Sequence, residues 1–116
     1  MTEQYSEDPD AALIPRPAAT PEVLRRAVSR ITPSRVKEFD RQLVEASTEA
    51  QEQQQLGPLH VFCRSWAQHV EIYRFPAVGS RLTELEHVVG SGHPDTDNAV
   101  KEISRIVRDA DARLRE

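Results

Sequence analysis

One cysteine, four glycines and only three phenylalanines, two tyrosines and one tryptophan occur in a chain of 116 residues, and each scarcity closes off a class of protein. The lone Cys63 makes no internal disulfide and leaves no Cys-x-x-Cys pair for a metal or redox centre. The glycines fall at Gly57, Gly79, Gly90 and Gly92, so neither Gly79-Ser80 nor Gly90-Ser91-Gly92 builds a phosphate-cradling loop; both read as punctuation between helices. No apolar run approaches the roughly 18 residues that a membrane-spanning helix needs. The stretch from Met1 to Asp10 is polar and acidic where a secretory signal is basic and then apolar. A net charge of −4 gives the molecule no overall pull toward nucleic acid or anionic lipid, so either would require a local basic patch. These absences predict a soluble, cytoplasmic, bacterial protein of one small domain with a modest core.

Reactive constellations are equally thin. His60, His69, His87 and His93 lack ligand spacing, there is no His-Glu-x-x-His, and His69-Val70-Glu71 lacks the cysteine pair of a zinc deaminase. A phosphatase-like Cys-x5-Arg fails because position 69 is His69, and Cys63 and His69, six apart on one helix, point to different faces. Cys63 therefore reads as a small buried hydrophobe. The expectation is a protein with no catalytic residues, no metal site and no cofactor, and hence not an enzyme.

What the chain does have is helical periodicity. Val36, Phe39, Leu43, Ala46 and Ala50 form one apolar seam, and Leu59, Phe62, Trp66, Val70 and Tyr73 form a second, with Gly57-Pro58 between them as the hinge. Steps of three and four place each seam on one face of a helix, and two such faces joined by a short break pack on each other. Spacing puts Trp66 in the core as its main filler. Upstream, Thr20-Pro21 and Thr32-Pro33 mark two helix starts, since a threonine pushed out of the helical region caps while proline fills a first-turn position that needs no donor. The first helix turns Leu24, Ala27, Val28 and Ile31 inward, the second runs from about Pro33 to Gln54, and the third from about Pro58 to Arg74. After Phe75-Pro76 and Gly79-Ser80, Leu82, Leu85 and Val89 give a shorter fourth helix.

A last stripe carries Val100, Ile103, Ile106, Val107, Ala110 and Leu114, with Asp95 and Asp97 before it and Arg113 and Arg115 behind it, as the helix macrodipole prefers. That helix has two readings. It completes a bundle over helices two and three, or it lays Val100, Ile103, Ile106, Val107 and Leu114 into a groove on a protein partner. The predicted fold is all-α, a small four- to five-helix bundle on a central helical hairpin. Its parts are a disordered acidic, proline-rich tail over residues 1–19 anchored only by Leu13 and Ile14, a helical core domain over 20–90 and a C-terminal amphipathic helix over 91–116.

Charge supplies one more candidate. From Glu22 to Arg41 six basic residues (Arg25, Arg26, Arg30, Arg35, Lys37, Arg41) face three acids, and arginine forks at helix starts suit phosphate. Arg25, Arg26, Arg30 and Arg35 are thus a candidate nucleic-acid surface, beside the plainer reading of a solvated face paired with Glu38 and Asp40.

The run Thr-Pro-Glu-Val-Leu-Arg-Arg-Ala at 20–27, then Val-Lys-Glu-Phe-Asp-Arg-Gln-Leu at 36–43, then Leu59, Phe62 and Trp66 ending in Val70 resembles a group of small bacterial proteins known only as a domain of unknown function. The resemblance covers Ala18 to about Glu86, while Gly92 to Glu116 departs from the pattern. Members are often encoded beside toxins of the RelE/ParE class. The resemblance thus implies the antitoxin of a type II toxin-antitoxin pair, which binds and neutralises a small basic ribonuclease toxin, and it brings no catalytic residues. The alternative is a DNA-binding transcriptional regulator using the arginines; a homodimer is open in either case, and no membrane is involved.

Overall fold

Thr20 opens the first helix as the sequence predicts: extended at φ −117°, it accepts the Val23 amide on its hydroxyl, with Pro21 in the first turn. The computed structural model describes residues 11–116. Among them the fold is all-α, with five helices, one 3₁₀ turn and no strand. The helices are α1 (Pro21–Ile31), α2 (Val36–Gln53), α3 (Gly57–Tyr73), α4 (Pro76–Gly90) and α5 (Thr96–Leu114), and the 3₁₀ turn is Pro33–Arg35. The described chain divides into two compact units, Arg16–Glu71 and a second formed by residues 11–15 with Ile72–Glu116.

In the first unit Phe39 and Val70, one from each seam, and Leu24 and Val28 of α1 are fully buried. The Phe39 ring meets Phe62 and Trp66 edge-on, at 4.9 and 5.1 Å between centroids, which ties α2 to α3. Trp66 is buried, as its spacing predicts, and its indole N–H donates to Gln42 Oε1 at 2.9 Å. Two details of the hairpin differ from expectation. The hinge is not Gly57-Pro58, which lie inside the first turn of α3; the chain reverses at Gln54, held at φ 54°, whose amide donates back to the Ala50 and Gln51 carbonyls. A left-handed C-cap satisfies the free carbonyls at a helix end, and here glutamine supplies it where glycine is usual. Thr32 makes no side-chain cap either. It ends α1, and its hydroxyl faces back to the Val28 carbonyl at 3.5 Å and across to His69 Nε2 on α3 at 2.9 Å, in place of a cap on the next helix. At Cys63 burial is only partial, although it is enough to push the thiol pKa up.

The second unit is built on Ile72, Leu82 and Ala110, with Tyr73, Val78, Ile103, Ile106 and Val107 packed against them. Here α5 packs on α4, and Arg81 of α4 forks onto Glu102 of α5 at 2.8 Å through two nitrogens, also pairing with Glu84. Gly79 is not punctuation. It is buried inside α4, which runs unbroken from Pro76 to Gly90, and a Cβ there would stand 2.6 Å from Tyr73 Cδ1. The chain does stop at Gly90-Ser91-Gly92, where Gly92 takes φ +72°.

Of the tail expected over residues 1–19, residues 1–10 lie outside the described residues. Further on, the Leu13 amide donates to the Arg74 carbonyl at 2.7 Å and the Arg74 guanidinium donates to the Ile14 carbonyl at 3.2 Å. Of the two expected anchors, Ile14 is buried and Leu13 is exposed. In the first unit Arg16 forks onto Glu71 of α3 at 3.0 and 3.3 Å, and the Glu71 side chain is wholly inaccessible.

Candidate interaction surface

The arginines singled out by the sequence are mostly engaged with carboxylates. Arg25 of α1 meets both Asp40 oxygens on α2, at 2.7 and 2.9 Å, and this hydrogen bonding holds the Asp40 carboxyl below its ordinary range. Arg26 pairs with Glu22 at 3.1 Å, one helical turn away. Arg35 pairs with Glu38 at 2.7 Å, and its guanidinium carbon sits 5.6 Å above the Trp66 ring. Arg30 is exposed and, among the described residues, has no ion-pair partner. The patch is therefore a laced surface more than a free cationic one.

On α5, Ile103, Ile106 and Val107 of the expected partner stripe lie against Ile72, Leu82 and Ala110. Leu114 is half-buried, and Val100 alone of the five stands exposed.

One polar pair escaped the sequence reading. Thr32 and His69 lie thirty-seven residues apart and are joined by a hydrogen bond, with the imidazole edge-on to Trp66 at 5.0 Å. A hydroxyl on an imidazole is the arrangement of a nucleophile and its base. Burial, with help from the Arg35 charge, lowers the His69 pKa to about 4, so the ring is neutral and weakly basic at pH 7 and acts here as a structural acceptor or donor. In the sequence Thr32 reads as a helix cap, and nothing there joins it to His69. Nor is Cys63 activated, since its raised pKa keeps it a thiol. Among the described residues no three His, Cys, Asp or Glu side chains cluster as metal ligands, and no helix is long and apolar enough to cross a membrane.

The feature that the sequence reading left unassigned is the outer end of the α2–α3 hairpin. Val44, Leu56 and Val61 are 64%, 62% and 56% exposed, three of the five large apolar side chains that stand in solvent among the described residues. Leu56 lines one cleft and Val61 a second, while Val44 stands outside both. One, of about 380 Å³, is lined by Ala50, Leu56 and Leu59 with Ser47 and the glutamines Gln51, Gln54 and Gln55. The other, of about 250 Å³, runs between Gln42, Glu45, Ala46 and Glu49 of α2 and Pro58, Val61, Phe62 and Ser65 of α3. Glu45 pairs with Arg41 at 3.0 Å in the open, and Glu49 accepts the Gln53 amide at 3.3 Å. The apolar character was legible in Val44 and Val61, which fall off the inward seams.

Residues 13–111 match the model of a family of unknown function (DUF6247), a span that takes in most of the last helix as well as the segment of the resemblance. No curated protein and no solved structure matches the chain.

Proposed function

The chain belongs to the DUF6247 family, and from the surface of its α2–α3 hairpin we propose that it is a non-enzymatic protein-interaction module, an antitoxin that binds and neutralises a small basic ribonuclease toxin. One observation carries the reading. Leu56 and Val61 are exposed and each lines a cleft on the hairpin, with Glu45 and Glu49 on the second cleft and no lysine or arginine between Arg41 and Arg64. Single exposed apolar side chains are ordinary, but a group of them rimmed by polar residues favours an interface. Like-signed acids around it steer a basic partner and speed encounter. The stripe on α5 is less available, because three of its five residues pack inside its own unit. The class of partner comes from the likeness to proteins encoded beside RelE/ParE toxins.

The test is genetic. A small basic protein of that class encoded beside this chain should arrest growth when expressed alone and not when the chain is co-expressed. An arrest that the chain does not relieve, or a neighbourhood with no such gene, ends the reading.

The competing reading, a DNA-binding regulator using Arg25, Arg26, Arg30 and Arg35, draws less support, since three of these four are paired with carboxylates. Titration of a labelled DNA duplex at rising salt decides between them. The expected outcome is no salt-dependent complex; binding whose log–log salt slope shrinks by about one for each arginine removed favours the regulator.

A further inference from the structure

We infer that the groove between α2 and α3 is the docking site for an amphipathic helix with an apolar stripe flanked by lysine or arginine; the inference rests on the interaction-module reading and names its surface. Gln42, Glu45, Ala46 and Glu49 follow the i, i+3, i+4, i+7 spacing, and so do Pro58, Val61, Phe62 and Ser65. Each set is one face of its helix, two turns or about 10 Å long, and the two faces together line the groove. Its floor is apolar, Ala46 and Phe62. One wall is apolar, Pro58 and Val61, and the other is acidic, Glu45 and Glu49. An apolar side chain set on the floor and a cation one turn away would meet both surfaces at once, which is helix-in-groove recognition.

Charge selects the occupant. A second copy seated groove to groove would bring the same acids against Glu45 and Glu49, a like-charge pairing that opposes association. Phosphate or nucleic acid is repelled on the same ground. The existing partners of the wall are exchangeable: Arg41 and Glu45 are each about three-fifths exposed, and such a pair in open solvent holds weakly. A cation from a desolvating partner helix can replace Arg41 without leaving a buried charge behind.

The measurement is fluorescence anisotropy with the full chain and two labelled 18-residue probes. One probe carries leucine at i, i+3, i+4, i+7 spacing with lysine elsewhere, and the other has glutamate in place of lysine. The leucine–lysine probe should bind saturably and the leucine–glutamate probe at least tenfold more weakly. Val61→Ser should weaken the first probe at least fivefold, and the double change Glu45→Lys with Glu49→Lys should reverse the preference. Val100→Ser, on the exposed side of α5, should leave the affinity within twofold. Circular dichroism on each variant checks that it is folded, as exposed positions permit. Equal binding by the unmodified chain, Val61→Ser and the double change overturns the inference. So does a dimer in sedimentation that Val61→Ser dissociates, which would give the groove to a second copy. If the probe seats in the groove and no toxin is relieved, the antitoxin reading fails and the groove stands. If a toxin is bound and Val61→Ser leaves it untouched, the groove fails and the reading stands.

Discussion

A methyl group on Gly79 would collide with the Tyr73 ring, 2.6 Å from Cδ1 and 3.3 Å from its Cα. Glycine in a helix interior is normally a weakness of about 0.5–1 kcal/mol relative to alanine. Here the steric term opposes it: overpacking costs about 1–3 kcal/mol, so Gly79→Ala should destabilise by about 1–2 kcal/mol in urea unfolding. In a Tyr73→Ala background the same change should become neutral or stabilising. The reason this role was hidden in the sequence is general. Gly79-Ser80 has the composition of a break, and only the ring of Tyr73, brought over it by packing, makes the glycine a steric necessity. Trp66, Phe62 and Leu24 were legible because burial of large apolar groups at helical spacing needs no knowledge of the neighbour.

His69 carries a prediction of a different kind at this scale. Its pKa in the folded chain is about 4, against about 6.5 ordinarily, so between those values the unfolded chain binds the proton and the folded chain does not. Stability is then fully present above about pH 6.5 and is lost as pH falls toward 4, by an amount on the order of 2–3 kcal/mol. Unfolding free energies measured from pH 7.5 to 4.5 should show this slope, and His69→Gln should flatten it. Asp40 and Glu102, each held low by an arginine, act below that window, in the acid range of carboxylates.

At the scale of elements, periodicity located all five helices and brought the ends of α2, α3 and α4 to within one residue, while the start of α2 moved from Pro33 to Val36 because Pro33–Arg35 forms a 3₁₀ turn. Thr20 caps as read, and Asp97 and Arg113 fall at the ends of α5 that the macrodipole favours. The hairpin's reversal was misplaced by three residues, because Gly57-Pro58 is a breaker by composition and Pro58 is equally at home in a first turn. The actual reversal uses Gln54 in a left-handed conformation that costs a side-chain-bearing residue about 1–2 kcal/mol. Gln54→Gly should therefore raise the thermal midpoint, by a stability gain of about 0.5–1 kcal/mol, without altering the helical circular dichroism. No gain, or a loss, would show that the glutamine side chain holds the turn. The groove beside that turn was unreadable from one helix at a time. It exists only because two faces of equal spacing are set side by side.

Taken as a whole, the molecule shows why the N-terminal boundary was the least legible part of its sequence. Acidic residues and prolines argue against regular structure in residues 1–19, and they say nothing about single contacts. Ile14 is buried, and Arg16 pairs with a carboxylate of zero accessibility, yet each rests on partners more than fifty residues away. Removal of residues 1–16 should cost at least about 3 kcal/mol, from about 1.5–3 for the isoleucine and a comparable loss at Glu71. In a chain of this size that lowers the melting temperature by more than about 10 °C. Arg16→Ala alone should give part of the drop.

The Arg16–Glu71 contact also sets an order of events during synthesis. Arg16 leaves the ribosome early, but its partner is made 55 residues later, at the far end of a helix that must first form. At the usual pace of synthesis, about 5–20 residues per second, that is several seconds in which the segment has nothing to hold. The part of this unit that is born first is thus placed last, and a nascent chain stalled before residue 71 should remain open to proteases at the segment that the finished protein pins down.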